Sequence, residues 1–352
     1  MESNERDAMR NVAAGLAAGS DAAAPRRNAS APAVHPWVAA RRERPRFALQ
    51  AATRPDDPDP SRTLLRAGEL AETLGLDGLF IADHPGASPD PWMHLAALAA
   101  TTERISLGSV VNCVFHRHPA QHARQAADLD RISHGRLVFG LGIGWNEPEF
   151  AQLGLPFPSV PERQAALDEA MAMIAGLWGP EPFTYAGRFW HTTGGHVGPW
   201  IGEGRPPILI AGAGKRTLGQ VARYADVANF GASPTAGGVT SSDDVAAKFA
   251  LLRERCAAIG RPDDTILRTH FTSCLSLAET QAAADAKLLR IHPGGVPPEL
   301  RTARIAHTPD GAIHHFRALR EAGAQYFVVQ LLDATDEETI RLLAEAVAPR
   351  VA

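Results

Sequence analysis

The clearest chemical feature of the chain is a glycine turn with two cations behind it, formed by Gly212, Ala213, Gly214, Lys215 and Arg216. A short apolar run precedes this turn, and a helical pattern follows it. A strand, a tight turn and a helix in this order place free backbone N–H groups at a helix N-terminus, which favours an anion. Glycine also lets the backbone approach a phosphate closely. The pattern therefore predicts a site for a phosphorylated ligand, with an ordinary βα turn as the alternative.

A second feature is the pair Asp83 and His84, which directly follows a mostly apolar run. Because histidine titrates near neutral pH, an imidazole beside a carboxylate suits proton transfer. In the alternative interpretation, Asp83 caps a local turn and His84 is a solvated loop residue. We take both as candidate catalytic residues.

Three glycines alternate at Gly140, Gly142 and Gly144, and Trp145 follows them. Such a pattern removes the side chains from one face of a strand and indicates that another surface approaches the backbone. We interpret that surface as a bound ring or phosphate chain. Tight packing between helix and strand is the alternative.

A third apolar run, 105–111, ends in Ser109, Val110 and Val111. Small and apolar groups at this place are compatible with a flat ligand lying over them. From the residues alone, an ordinary buried strand is the stronger interpretation.

The elements that must position these residues form a regular series from Phe47 onward. Apolar runs indicating strands lie at 47–52, 77–83, 105–111, 136–142, 206–210, 226–230, 266–277 and 325–331. Helical patterns lie at 64–74, 94–102, 119–132, 161–178, 215–225, 243–259, 314–322 and 337–347. Continuous apolar strands that alternate with helices indicate a parallel sheet covered by helices. Eight such units favour a (β/α)8 barrel over a doubly wound open sheet, and function in such a barrel lies at the carboxyl ends of the strands.

Two stretches, 179–205 and 289–310, are longer than ordinary loops and are rich in glycine and proline. The first carries an aromatic and histidine set: Phe183, Tyr185, Phe189, Trp190, His191, His196 and Trp200. Long insertions in compact domains are often lids or binding loops. We expect both to border the carboxyl-end face, and the first to cover the site.

The composition fits an ordinary globular protein of 352 residues, with 45% hydrophobic and 21% charged residues. A net charge of −4 gives no general attraction to nucleic acid or to acidic membranes. The three cysteines form no CxxC pair, which fits a reducing compartment and argues against a disulfide framework. No apolar run approaches the roughly 20 residues of a membrane helix, so we expect a cytoplasmic protein without membrane or nucleic-acid partners.

Residues 1–44 lack a sustained periodicity and an apolar signal core. We predict a disordered extension over 1–44 and one domain over 45–352. HExxH and GxSxG are both absent from the sequence, so a zinc protease and a serine hydrolase are not indicated.

Six motifs in this order resemble the luciferase-like monooxygenase superfamily of flavin-dependent oxidoreductases. They are 79–84 (LFIADH), 107–108 (LG), 117–119 (RHP), 129–137 (LDRISHGRL), 140–145 (GLGIGW) and 206–214 (PPILIAGAG). The resemblance runs from about Phe47 to Arg350 and is greatest to the branch that depends on coenzyme F420. The segments 216–229 (RTLGQVARYADVAN) and 323–331 (GAQYFVVQL) also point to that branch.

The resemblance implies a TIM barrel that binds F420, or alternatively FMN, at the carboxyl-end face. It implies that His84 lies near the reactive ring and that a non-proline cis peptide stands at Ser109–Val110 or Val110–Val111. The cofactor-binding residues predicted in this way are Ser109, Val110, Val111, Gly142, Gly144, Trp145, Gly212, Ala213, Gly214, Lys215 and Arg216.

The expected activity is hydride transfer between F420 and a small organic substrate. The alternative is an FMN-dependent monooxygenase that uses oxygen. The resemblance also suggests a homodimer, and a separate reductase as a possible supplier of reduced cofactor. One departure is Trp145, since some F420-dependent sugar-phosphate dehydrogenases place a glutamate at this position, so a glucose-6-phosphate-type substrate is in doubt.

Overall fold

Eight parallel strands close into one barrel in the computed structural model, which describes residues 34–197, 204–234 and 237–351. In chain order the strands are β1 (Arg46–Ala51), β2 (Gly78–Ile81), β3 (Ser106–Ser109), β4 (Leu137–Gly142), β5 (Ile208–Ala211), β6 (Val227–Gly231), β7 (Leu267–Thr272) and β8 (Tyr326–Leu331). Each strand pairs with the next, and Tyr326 of β8 lies opposite Arg46 of β1, which closes the ring. The predicted (β/α)8 barrel is confirmed.

Helices surround the barrel. They are α1 (Pro36–Ala39), α2 (Pro60–Thr73), α3 (Pro91–Thr101), α4 (Pro119–Ile132), α5 (Glu147–Gln152), α6 (Val160–Leu177), α7 (Lys215–Tyr224), α8 (Ser242–Ala257), α9 (Gln281–Ile291), α10 (Pro309–Glu321), α11 (Glu337–Arg341) and α12 (Ala348–Val351), with a π-helical turn at Leu342–Val347. Several begin with a proline behind a capping side chain, as Asp59 does for α2 and Asp90 for α3. Proline suits this first position because its missing N–H would have no helical partner. Of the helices in the described ranges, none combines the length and apolar character that a bilayer crossing requires.

Side chains of the strands alternate between two apolar layers. In β8, Tyr326 and Val328 fill the barrel interior, whereas Phe327 and Val329 join the layer between strands and helices. This alternation follows from the two-residue period of a strand. Because both faces are buried, the strands appear in the sequence as continuous apolar runs.

The segment before β1 covers the amino-terminal end of the barrel. Trp37 and Val38 of α1 are buried, and Trp37 Nε1 donates to Ser106 Oγ at 3.0 Å. Arg41 Nε lies 2.6 Å from Asp77 Oδ2. The prediction of disorder is therefore wrong for residues 34–44, because two apolar side chains there pack into the barrel end. Residues 1–33 lie outside the described part of the chain.

The predicted strand 266–277 is in fact two strands. β7 ends at Thr272, Cys274 has a positive φ of 56°, and Leu275–Leu277 then pairs with Ile305–His307. The insertion 179–205 contains an antiparallel hairpin, Phe183–Ala186 with His191–Gly195. A short strand, Asn112–Cys113, extends the pairing beside the carboxyl end of β4.

Candidate active site

His84 lies at the carboxyl end of β2 and contacts a carboxylate that is distant in sequence. Its Nδ1 is 2.8 Å from Oε1 of Glu149, on α5. The Glu149 side chain is 7% exposed and that of His84 is 33% exposed. A carboxylate accepts hydrogen bonds, so His84 Nδ1–H donates to Glu149, and Nε2 is left as the second functional nitrogen.

Helix α5 brings Glu149 to this position. It follows β4 directly, carries Pro148 in its first turn, and has Glu147 and Glu149 there as well, where carboxylates are favoured by the helix dipole. Phe150 is buried against Phe157, with ring centroids 4.8 Å apart, and this contact anchors the helix. The sequence interpretation missed α5. The available signal was Asn146 in an N-cap position shortly before Pro148.

Asp83 contacts different partners from His84. Its carboxylate accepts from the backbone N–H of Cys113 at 3.2 Å, from His116 Nδ1 at 3.1 Å and from Arg117 Nη1 at 3.3 Å. The orienting residue of His84 among the described residues is thus Glu149, and not the adjacent Asp83. The geometry gives Asp83 the task of holding the loop that follows Cys113.

The charges of Asp83 and His116 shift each other's pKa. Burial opposes ionisation of Asp83, but the hydrogen bond from His116 and the charge of Arg117 outweigh burial and hold its pKa below the usual value. Burial also lowers the pKa of His116, yet its hydrogen bond to Asp83 and its contact with Cys113 raise that pKa to about 9. His116 is therefore an imidazolium at neutral pH and forms an ion pair with Asp83.

The peptide bond between Val110 and Val111 is cis, at one of the two positions predicted. The alternating glycines of β4 lie against this segment. A methyl group on Gly140 would lie 1.8 Å from Ser109 O, and one on Gly142 would lie 2.6 Å from Val111 Cγ2. The close approach at these glycines is therefore made by the neighbouring strand, and neither a ligand nor a helix fills this space.

At Gly144, too, protein atoms fill the space beside the glycine. Its φ is +72°, and a methyl group there would lie 2.7 Å from Cys113 Sγ. Direct contact of Gly142 and Gly144 with a cofactor stays a prediction. Trp145, the next residue, is 52% exposed, and its ring centroid lies 5.6 Å from that of His84 with the rings edge to face.

The predicted phosphate turn lies between β5 and α7. Gly212 has a φ of +133° and donates its N–H to Asn229 O at 2.8 Å. Gly214 is the N-cap residue of α7, and no side chain caps the helix there. The first backbone N–H groups of α7 thus have no capping partner within the helix, which is the requirement for an anion site.

The two cations behind this turn behave differently. Arg216 Nη2 lies 3.5 Å from Asp168 of α6, so its guanidinium is directed along the outer helix layer. Lys215 is exposed, and no ion pair of it is seen within the described ranges. Lys215 is therefore the better placed of the two for a phosphate.

The insertions differ in their placement. In the first, Trp190 Nε1 donates to Ala166 O of α6, and its ring lies 5.6 Å from that of Phe115. The hairpin thus supports the loop behind His116, and its role as a lid stays a prediction. Trp200 lies outside the described residues. The second insertion borders a cavity of about 120 Å³ beside His270.

A flat, phosphorylated cofactor fits this arrangement. The uncapped start of α7 provides backbone donors, and Val110 and Val111 pack into the interior layer at the barrel mouth. Gln50 lies two residues after the inward-facing Ala48 of β1 and so shares its face, and its buried Oε1 has no hydrogen-bond partner within the described part of the chain. An unpartnered buried acceptor fits a site that a ligand completes.

The family model described as luciferase-like monooxygenase matches residues 7–343. The chain belongs to this family. One relative, the F420-dependent glucose-6-phosphate dehydrogenase of Microbacterium testaceum (strain StLB037), is 29% identical over 87% of this chain and 97% of its own length.

Solved structures of the luciferase-like fold agree. An F420-dependent secondary alcohol dehydrogenase in complex with an F420-acetone adduct has a TM-score of 0.76 at 18% identity, and the match covers 88% of this chain and 99% of that chain. A monooxygenase from Streptomyces bottropensis has a TM-score of 0.72 at 23% identity, over 88% of this chain and 100% of that one. These TM-scores confirm the predicted barrel fold.

Proposed function

We propose that the protein is an F420-dependent oxidoreductase that transfers a hydride between the deazaflavin and a small organic substrate. The observation that carries the proposal is His84, held by the buried Glu149 at the barrel mouth, with Nε2 left for a reacting proton. The relative from Microbacterium testaceum, whose name states F420 dependence, supports the choice of cofactor.

When bound, F420 supplies the two-electron hydride acceptor or donor. The protein's own residues have three tasks in this proposal. The backbone N–H groups from Gly214 into α7, with Lys215 beside them, bind the phosphate. Val110 and Val111 support the ring. His84 Nε2 accepts a proton from the substrate oxygen in one direction and returns it in the other, while Glu149 keeps the proton of Nδ1 in place.

The test is a titration of the purified apoprotein with F420 and, separately, with FMN, followed by fluorescence. We expect F420 to bind tightly and FMN weakly or not at all. Tight FMN binding without any response to F420 would identify an FMN-dependent monooxygenase instead and would overturn the proposal.

The remaining partners are part of the same proposal. A homodimer is expected in solution and is measured by light scattering. A separate reductase is needed if the enzyme consumes reduced cofactor, and a cytoplasmic location fits such a supply. The absorption spectrum of protein purified from an F420-producing host tests the cofactor independently, because oxidised deazaflavin and flavin absorb differently.

A further inference from the structure

A cavity of about 240 Å³ opens beside His84. It lies between the loop that follows β2 and the loop that follows the short strand Asn112–Cys113. Pro85, Pro89, Pro91 and Leu153 form its apolar wall. Prolines and leucine offer no hydrogen-bond donor from their side chains, so the wall suits the apolar part of a ligand.

The charged wall of the cavity is already neutralised. Arg117 donates to Asp83 at 3.3 Å and also to Asp90, and His116 donates to Asp83 at 3.1 Å. Side chains bind a phosphate most strongly through charge-assisted donors that are free to form several bonds with its oxygens. Arg117 and the protonated His116 therefore pair with carboxylates of the same described lining and are not free for a phosphate.

Three carboxylates belong to the cavity lining or contact the His84 imidazole. Asp83 and Asp90 line the cavity, and Glu149 lies 2.8 Å from His84. With His116 and Arg117 counted against Asp83 and Asp90, Glu149 leaves a net negative charge beside His84, so a dianionic substrate gains no attraction in this partly buried setting, where charges are poorly screened. The arrangement therefore disfavours a sugar phosphate.

Two large apolar side chains stand exposed around His84. Trp145 is 52% exposed with its ring edge to face with the imidazole, and Leu153 of the cavity wall is 44% exposed. Exposed apolar groups clustered beside a candidate site are typical of ligand contact.

We infer that the substrate, given the proposed hydride transfer, is a neutral alcohol or ketone with an apolar substituent, and that Trp145 and Leu153 contact this substituent. The hydroxyl or carbonyl oxygen lies at His84 Nε2. The apolar remainder lies against the proline wall and the indole ring. This inference rests on the proposed function and names the substrate class of the same site.

The test compares cyclohexanol, propan-2-ol and glucose 6-phosphate as reductants of F420 with the loaded enzyme. F420 binding is measured first, since its absence overturns the proposed function. We expect kcat/KM for cyclohexanol to exceed that for glucose 6-phosphate by about tenfold or more, and Trp145→Ala to lower the cyclohexanol value by about tenfold while propan-2-ol changes less. The matched control is Ile259→Ala, an equally exposed apolar residue after the end of α8, which should change neither.

A second readout does not depend on turnover. Saturation-transfer NMR should detect cyclohexanol bound to the wild-type protein, with a weaker signal for Trp145→Ala and none for glucose 6-phosphate. The inference is overturned if glucose 6-phosphate binds or reacts as well as cyclohexanol. It is equally overturned if cyclohexanol fails to bind, or if Trp145→Ala affects both alcohols alike.

Discussion

At the scale of single residues, the site depends on a contact between side chains 65 positions apart in the chain, His84 and Glu149. The buried carboxylate fixes which imidazole nitrogen carries the proton, in the manner of other histidines oriented by a carboxylate. Asp83, the sequence neighbour of His84, is occupied with His116 and Arg117. Asp83 and Glu149 are similarly buried, but Glu149 contacts the His84 imidazole whereas Asp83 contacts His116 and Arg117.

Replacing His84 by alanine should remove the proton acceptor and leave cofactor binding intact. We expect kcat for F420 reduction to fall by about 10²- to 10⁴-fold, with an unchanged Kd for F420. Added imidazole should restore part of the rate. The control is His314→Ala, an exposed histidine on α10. An unaltered kcat in His84→Ala would show that the imidazole plays no part in catalysis.

Glu149→Gln tests orientation separately from proton transfer. The amide can donate to His84 Nδ1 and so favour the tautomer whose proton is on Nε2. We expect kcat to fall by about tenfold or more, with little change in F420 affinity, and Glu149→Asp to retain more activity than Glu149→Gln. Stopped-flow reduction of F420 measures this. Equal rates in both variants would rule out the orienting role.

The ion pair of His116 with Asp83 should make stability depend on pH. Because the pKa of His116 is raised from 6.5 to about 9 in the folded protein, its stabilising contribution is fully present below about pH 6.5 and is lost as the pH rises through 9. Urea unfolding of the wild type and His116→Asn across this range measures the effect. The difference in unfolding free energy should shrink toward high pH, and a constant difference contradicts the ion pair.

At the scale of elements, the uncapped start of α7 and the short helix α5 carry the two parts of the candidate site. Most other helices follow the ordinary rule that a polar side chain caps the first turn, as Asp59, Asp90 and Thr308 do. α7 has a glycine there instead. The helix thus gives up a local stabilising bond and leaves its backbone donors available.

Placing an aspartate at this N-cap should separate folding from binding. Gly214 has a φ of −68°, and a Cβ there would meet its nearest atom, Thr217 Oγ1, at 3.6 Å, so Gly214→Asp fits and can cap the helix. We expect an unchanged or higher melting temperature and an F420 affinity lower by about tenfold or more, since the carboxylate competes with the phosphate. Gly219→Asp, within the same helix and in open space, is the control. Undiminished affinity in Gly214→Asp would exclude this turn as the phosphate site.

At the scale of the whole molecule, the barrel is closed at its amino-terminal end by α1. Trp37 packs against Tyr326, with ring centroids 5.6 Å apart, and bonds to Ser106, so it connects the beginnings of β8 and β3. The apolar core therefore continues through the barrel interior into a segment that precedes the first strand.

Removing the Trp37 indole should lower the stability of the whole fold. We expect Trp37→Ala to lower the free energy of unfolding by about 3–5 kcal/mol, as for other large-to-small changes in a core. Trp145→Ala, whose indole is exposed, should change it by about 0.5 kcal/mol or less. Urea denaturation followed by circular dichroism compares the two. Equal stability of both variants would mean that α1 adds nothing to the barrel.

The barrel could be predicted because its signals are local. Each βα unit has its own apolar run, helical period and turn, so the eightfold repeat is visible without any contact information. The glycine turn before Lys215 could be predicted for the same reason. The cis peptide bond at Val110–Val111 was predicted from the family resemblance.

The missed parts are those that depend on contacts between distant segments. Helix α5 has six residues, too few for a periodic pattern, and its contact with His84 exists only in the fold. The direction of Arg216 depends on Asp168 of another helix. The glycines of β4 looked like a ligand surface because a sequence does not reveal whether a strand or a ligand fills the space beside them.

The ten residues from Gly144 to Leu153 carry several parts of the candidate site, and this has a consequence for how such a site can evolve. This one stretch supplies the indole beside His84, the carboxylate that orients it and a leucine of the cavity wall. A single exchange of the segment between two related barrels would therefore alter substrate preference and proton handling together, while the strands beneath stay as they are. New activities on this scaffold can arise by replacing a short cassette rather than by many scattered substitutions.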